Sequence, residues 1–352
     1  MTTPKTDHPL RLALLCTLGA LALSVLFFAP RLWLMRDYLP GTFQWDRAHT
    51  FLLQCEAPFR RDIEPAMLWR LLPPLVCHVL GLRGWAAFAI PWLGAVAATF
   101  YVARLHVQRL ADPRFVFGGT LLFASTSAVL VPVGWLGLND GWIWLGLLAA
   151  AFARSRWTWF IACLLCPFVD ERFIIGLPLA LAVRHTDSQD RFSWQAFMPL
   201  LGLLPYVAVR LMFSFDPAIS GPTKSFLATS VHQAVLLVPW APLAWWMGLR
   251  AAWLPAVSAA WQRPWLLGGG AAATLVVCMM LASDMSRSAA ILTPLVVLGG
   301  FTFAARRPDL APRVALATGI ANLLIPAAHV TLTKFDPINN LAIELFRLLR
   351  SS

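Results

Sequence analysis

Charge is what this chain has least of: Asp, Glu, Lys and Arg make up 13% of its 352 residues, against 59% hydrophobic residues. Mean hydropathy is +0.68. No soluble domain has interior enough to hide that much apolar surface, so the composition excludes a soluble enzyme and predicts a polytopic membrane protein. Lysine is nearly missing as well. Only Lys5, Lys224 and Lys334 are present, leaving 25 of the 28 basic residues to arginine. The net charge of +11 sits mainly in short loops, which reads as basic loops kept on the cytoplasmic face, not as nucleic-acid binding. Gly-x-Ser-x-Gly and His-Glu-x-x-His are both absent, which removes the usual signatures of serine hydrolases and zinc proteases. The seven histidines do not pair across predicted spans, which argues against haem or quinone chemistry. Of six cysteines, Cys16, Cys163, Cys166 and Cys278 lie in apolar runs, where a small hydrophobe is the ordinary role. Cys163 and Cys166 have C-x-x-C spacing without the soluble context of redox or zinc motifs. Cys55 and Cys77 share one polar segment and could pair.

Apolar runs set the expected architecture. Lys5 and Arg11 precede the run 12–28, no small-residue cleavage site follows, and Arg31 marks a membrane exit, so this run is expected to remain as the first span. Residues 31–83 form the expected first outer loop. Within it 67–82 is apolar but short, with Arg70 and Pro73-Pro74 inside, and reads as an interfacial helix. Spans follow at 85–103, 115–133 and 142–152. Residues 157–183 as one helix would run ~40 Å, longer than the ~30 Å hydrocarbon core, and would carry Asp170, Glu171 and Arg172 at the middle. Both flanks are basic, and Pro167 supplies a break, so two short helices meeting at Asp-Glu-Arg are expected. Runs at 194–213, 231–248, 265–282, 289–304 and 314–332 complete an all-α bundle of about eleven spans. Residues 1–352 read as a single integral membrane domain, with 250–263 an inner connector. Residues 336–352 read as a C-terminal amphipathic helix opened by Asp336-Pro337.

Seventeen tryptophans, many at the ends of these runs, fit interfacial anchoring. The acidic residues are more informative. Asp46, Asp140, Asp170-Glu171 and Asp284 fall in or between apolar stretches, where a charge costs at least ~2.5–3.5 kcal/mol. The expected topology puts all four clusters on one side of the membrane, facing away from the cytoplasm, with the N-terminus inside. Each has a plain structural explanation: Asp140 as a helix cap, Glu171 and Arg172 as an ion pair, Asp284 and Arg287 as neighbours on a turn. Their shared face points instead to a polar chamber. Carboxylates and arginines together supply what group transfer from a lipid phosphate needs: a base for the acceptor hydroxyl and cations for the departing phosphate.

Several short motifs carry a resemblance. Trp45-Asp46 directly after the first span, Pro58-Phe59-Arg60, Arg70-Leu-Leu-Pro73, the charged apex Asp170-Glu171-Arg172 and the late pair Asp284 and Arg287 are similar to the GT-C superfamily of polytopic glycosyltransferases. The resemblance implies a bacterial cytoplasmic-membrane enzyme moving a sugar from a polyprenyl-phosphate donor at the outer face. It implies Asp46 as general base, with Arg60, Arg70 and Arg287 toward the lipid phosphate and Asp170, Glu171 and Arg172 in positioning. Asp140 and Asp284 would bind sugar hydroxyls or orient an arginine, and His49 would help bind the acceptor. The implied partners are membrane lipid and the lipid-linked sugar. No cofactor is implied: Arg47 stands where a second carboxylate would help hold a divalent metal, and no large soluble domain follows the spans. A transporter or flippase of lipid-linked saccharide would carry similar midplane charges but predicts an internal repeat, and none is visible. A non-catalytic subunit of envelope assembly would pair its acidic groups with one another.

Overall fold

The computed structural model describes residues 8–31, 43–63, 67–188, 197–214, 231–232, 234–281, 284–331 and 334–350. In chain order the first helices are α1 (Pro9–Phe27), α2 (Phe43–Glu56), α3 (Leu72–Val79) and α4 (Gly84–Arg109). Next come α5 (Pro113–Ala124), α6 (Ser127–Gly134), α7 (Asp140–Phe152), α8 (Arg156–Phe168) and α9 (Arg172–Ser188). After α10 (Met198–Met212) follow α11 (Ala241–Leu249), α12 (Trp253–Ala260), α13 (Pro264–Leu281), α14 (Met285–Arg306) and α15 (Ala311–Leu324). A hairpin of β1 (Ala328–Thr331) and β2 (Lys334–Pro337) then leads to α16 (Leu341–Arg350).

Local chemistry explains the boundaries. Proline sits in the first turn of α1, α3 and α5, where its missing N–H costs nothing. Asp112 caps α5 by accepting from Arg114 N at 2.8 Å and Phe115 N at 3.3 Å. Between α5 and α6 the chain bends by 53°. There the hydroxyls of Ser125 and Thr126 turn back on the Leu121 and Phe123 carbonyls at 2.7 and 2.8 Å, taking acceptors that a continuous helix would use. The predicted break in 157–183 is present: α8 stops at Phe168, and Asp170 Oδ1 accepts from Arg172 N at 2.9 Å as α9 begins.

Small residues let the helices approach. A side chain on Gly118 of α5 would come within 2.3 Å of the Ala315 backbone in α15. One on Gly299 of α14 would come within 1.9 Å of the Pro255 carbonyl in α12. The interior between these helices is apolar, built from residues such as Phe123, Trp144, Leu147, Ile291 and Phe301. The bundle has two chemically distinct ends. At one, Arg109 pairs with Asp187 and stacks on Phe301, and Arg184 donates to the Ala150 and Ala153 carbonyls. At the other, α2, the turn before α7, the α8–α9 break, the start of α14 and β1 come together.

Four helices are long and apolar enough to cross a membrane, α1, α4, α13 and α14, or five spans if bent α5–α6 counts as one. Helices α7, α8 and α10 are apolar but shorter. The described residues therefore do not confirm the expected count of about eleven, and three local expectations change. The fold is mostly helical, as expected, with one antiparallel hairpin added that pairs Ala328 with Pro337 through Thr331 with Lys334. The run 314–332 stops being helical at Leu324, and Asp336-Pro337 lies in β2 instead of opening a helix. The actual cap of α16 is Asn340, whose Oδ1 accepts from Ile343 N at 3.0 Å. Exposed Leu345, Phe346 and Leu349 keep the amphipathic character expected of this segment. The expected inner connector at 250–263 holds the helix α12 and is not a plain loop. The chain breaks at Arg250, a non-glycine residue with φ 52°, and α12 then packs along α14. Within 67–82 the structure forms the short helix α3, with Val79 and Leu80 exposed at its end.

Candidate functional site

Arg287 is the hub of the non-basic end. On the first turn of α14 it is 2% exposed, so its charge must be met within the protein. Its Nε and Nη2 grip both oxygens of Asp140, the first residue of α7. Its Nη1 donates to Asp284 at 3.2 Å, and its Nη2 stands 3.7 Å from Asp170. Asp170 also receives Arg70 at 2.9 Å and Arg172 at 3.5 Å. Three carboxylates and three guanidinium groups thus neutralise one another, drawn from four places in the sequence.

A second layer hangs on Asp284. His329 of β1 places Nε2 2.8 Å from its carboxylate, and the Ser286 hydroxyl lies 3.1 Å from Nδ1. This chain has the order of a hydrolytic triad but not the access. Ser286 is fully buried, and its Oγ already accepts from Val330 N at 2.8 Å. It ties the hairpin to α14. Trp135, its ring 4.7 Å from His329, closes the far side.

Burial and charge oppose each other here. Burial pushes the Asp170 carboxyl up, but the Arg70, Arg172 and Arg287 guanidinium groups together hold it below the usual carboxylate range. For Asp284, burial is likewise outweighed, by His329, Arg287 and Arg172. Two donors stay unused: among the described residues, the buried Nε of Arg70 and of Arg172 has no acceptor. Guanidinium N–H groups held in place without acceptors suit an incoming anion.

The cluster has a half-open rim. The Glu171 side chain is 38% exposed, accepts from the Tyr206 hydroxyl at 3.2 Å and pairs with Arg210 at 3.2 Å. Arg210 in turn lies over the Trp69 ring at 4.3 Å, next to Arg70 in sequence. The structure thus brings together Arg70, Asp140, Asp170, Arg172, Asp284 and Arg287, with Glu171 at the edge. Arg60 is elsewhere: it makes a local pair with Asp62 at 2.7 Å, which holds that exposed carboxyl down at about 2. Among the described residues its ion pair does not join the cluster, so this geometry lends no support to its expected part in the phosphate site. His49 is exposed on α2.

Asp46 belongs to α2, and its side chain lies outside the described residues. Its helix is tied to the cluster by its neighbours. Arg47 and Arg70 both donate to the Met67 sulfur, Arg70 at 3.5 Å. Gly137, at φ +77°, brings the turn that ends in Asp140 so close to α2 that a side chain there would meet Arg47 O at 3.2 Å. Among the described residues no group of three or more His, Cys, Asp or Glu is placed to hold a metal ion.

Sequence reasoning missed Ser286, Tyr206, Trp69 and Arg210, and treated His329 as a histidine satisfied by some neighbour. The available signal was His329 and Arg210 themselves, ionisable residues inside apolar runs. Comparison adds no family: no family model, no curated protein and no solved structure matches this chain.

Proposed function

We propose that this chain is a GT-C-like membrane glycosyltransferase of a bacterial cytoplasmic membrane, taking its sugar from a polyprenyl-phosphate donor at the face that carries the ionic cluster. One observation carries the reading. Six ionised side chains from separate segments converge beside a half-open rim, with two buried guanidinium N–H groups left over. Folding alone gains little from such a cluster, because an apolar core of equal volume is commonly as stable. In this reading Arg70 and Arg172 face the donor phosphate, while Arg287 fixes Asp140, Asp170 and Asp284. Arg210 and Glu171 sit at the entrance. As the acceptor oxygen bonds to the sugar C1, the C1–O bond to phosphate breaks and the electron pair leaves with the phosphate. Asp46 takes the acceptor proton. The arginines stabilise the growing phosphate charge.

A second reading, a non-catalytic subunit of envelope assembly, draws on the mutual neutralisation of the buried groups. The two separate experimentally. Nanodiscs containing polyprenyl monophosphate should retain that lipid on the purified protein, and Arg210→Ala should weaken retention several-fold without loss of folded protein. Membranes supplied with polyprenyl-phosphate sugars should release polyprenyl phosphate, and Asp46→Asn should abolish release at unchanged protein level. Full turnover by Asp46→Asn removes Asp46 from the mechanism. Lipid retention without turnover in the parent protein supports the subunit reading.

A further inference from the structure

We propose that Cys55 and Cys77 form a disulfide that fastens the end of α2 to α3. The inference goes beyond the glycosyltransferase reading and does not depend on it. Both residues are fully buried, and they share a cluster with Ala48, Phe51, Ala87, Phe88 and Leu136. The carbonyl of Cys55 lies 3.2 Å from Nδ1 of the His78 side chain, the residue after Cys77, so the end of α2 lies against α3. The Cys77 thiol donates to the Ala87 carbonyl at 3.6 Å, and the Cys55 thiol lies next to it in the same cluster. Sulfurs brought together from separate helices need only a small adjustment to reach bonding geometry. Both are reduced in this structure.

Arg83 donates to the Cys77 carbonyl at 3.4 Å and stands 3.3 Å from the His78 ring, so its positive charge faces the pair. The oxidant is a protein disulfide of the thiol–disulfide oxidoreductase class. During folding, before α2 and α3 bury the pair, the Cys77 thiolate attacks one sulfur of that disulfide, breaking its S–S bond and forming a mixed disulfide. The Cys55 thiolate then attacks Cys77 Sγ and expels the oxidant as its dithiol, so two electrons and two protons leave the chain. The other cysteines lack such a partner from a second helix: Cys163 and Cys166 sit on one helix, and Cys16 and Cys278 on two others. The bridge would hold α2, and with it Asp46 nine residues upstream of Cys55, against α3 and the turn leading to Asp140.

The test counts thiols in the full chain taken from cells. Membranes are denatured in N-ethylmaleimide to block free thiols, then reduced and treated with a polyethylene-glycol maleimide. Parent protein should gain two large adducts, visible as a gel shift. Cys55→Ser and Cys77→Ser, singly or together, should gain none. Absence of adducts in the parent overturns the proposal, and so does their persistence in the double variant, which would place the bridge elsewhere.

Discussion

Replacing Arg287 with methionine keeps most of the side-chain volume and removes the charge at the centre of the cluster. Its three carboxylates lose unequal amounts. Asp170 retains Arg70 and Arg172, and Asp284 retains His329. Asp140 is fully buried, and Arg287 is its one ion-pair partner among the described residues. Stranding a buried charge in this way costs about 3–5 kcal/mol. That is a large part of a typical stability of about 5–15 kcal/mol, and it corresponds to a fall of roughly 5–10 °C in Tm. Removing both partners reverses most of the loss, since two apolar side chains leave no unmet charge. The expected pattern is therefore strongly non-additive: Arg287→Met severe, Asp140→Leu intermediate, and the double variant more stable than Arg287→Met alone. Thermal unfolding of purified protein in detergent, followed by tryptophan fluorescence, reads all four corners of the cycle. A loss below about 0.5 kcal/mol for Arg287→Met, the range of surface substitutions, would refute the reasoning. Strict additivity would refute it too.

Two further outcomes follow from the same geometry. Asp170 and Asp284 have folded-state values below their unfolded ones, so their contribution is present above the ordinary carboxylate value of about 4 and is lost as pH falls through the folded values. Unfolding temperature should be flat between about pH 7 and 5 and decline below about 4; a decline already complete at pH 6 would contradict the assignment. Gly118→Ala should destabilise by about 1–3 kcal/mol, because the added carbon meets the Ala315 backbone in α15 and no side-chain rotation relieves it. An unchanged Tm would mean that α5 and α15 do not pack at this distance.

Much of this molecule was legible in one dimension because bilayer physics acts on composition and short-range order. Apolar runs marked α1, α4, α13 and α14, and the Pro167 break with its charged apex marked the α8–α9 turn. The rule that buried charge needs a reason singled out Asp140, Asp170, Arg172, Asp284 and Arg287 before any fold was known. Other features depended on partners distant in sequence. The stretch 326–337 follows a helix-like apolar run, and only the pairing of β1 with β2 and the anchoring of His329 and Val330 to the α14 turn make it a hairpin. Pro337 read as a helix start, yet Asn340 caps α16. Arg250, in the stretch expected to be an inner connector, is buried against Phe28 and donates to Ile325 at 2.9 Å.

The identity of the ionised groups was thus set by the sequence itself: a carboxylate in an apolar run is costly wherever the chain folds. Their pairing was decided by tertiary structure alone. Arg287 could have met Asp284 three residues away and nothing else; instead it also grips Asp140 across 147 residues. Ion-pair energy falls steeply with distance and depends on burial, and both are properties of packed helices, not of residue order.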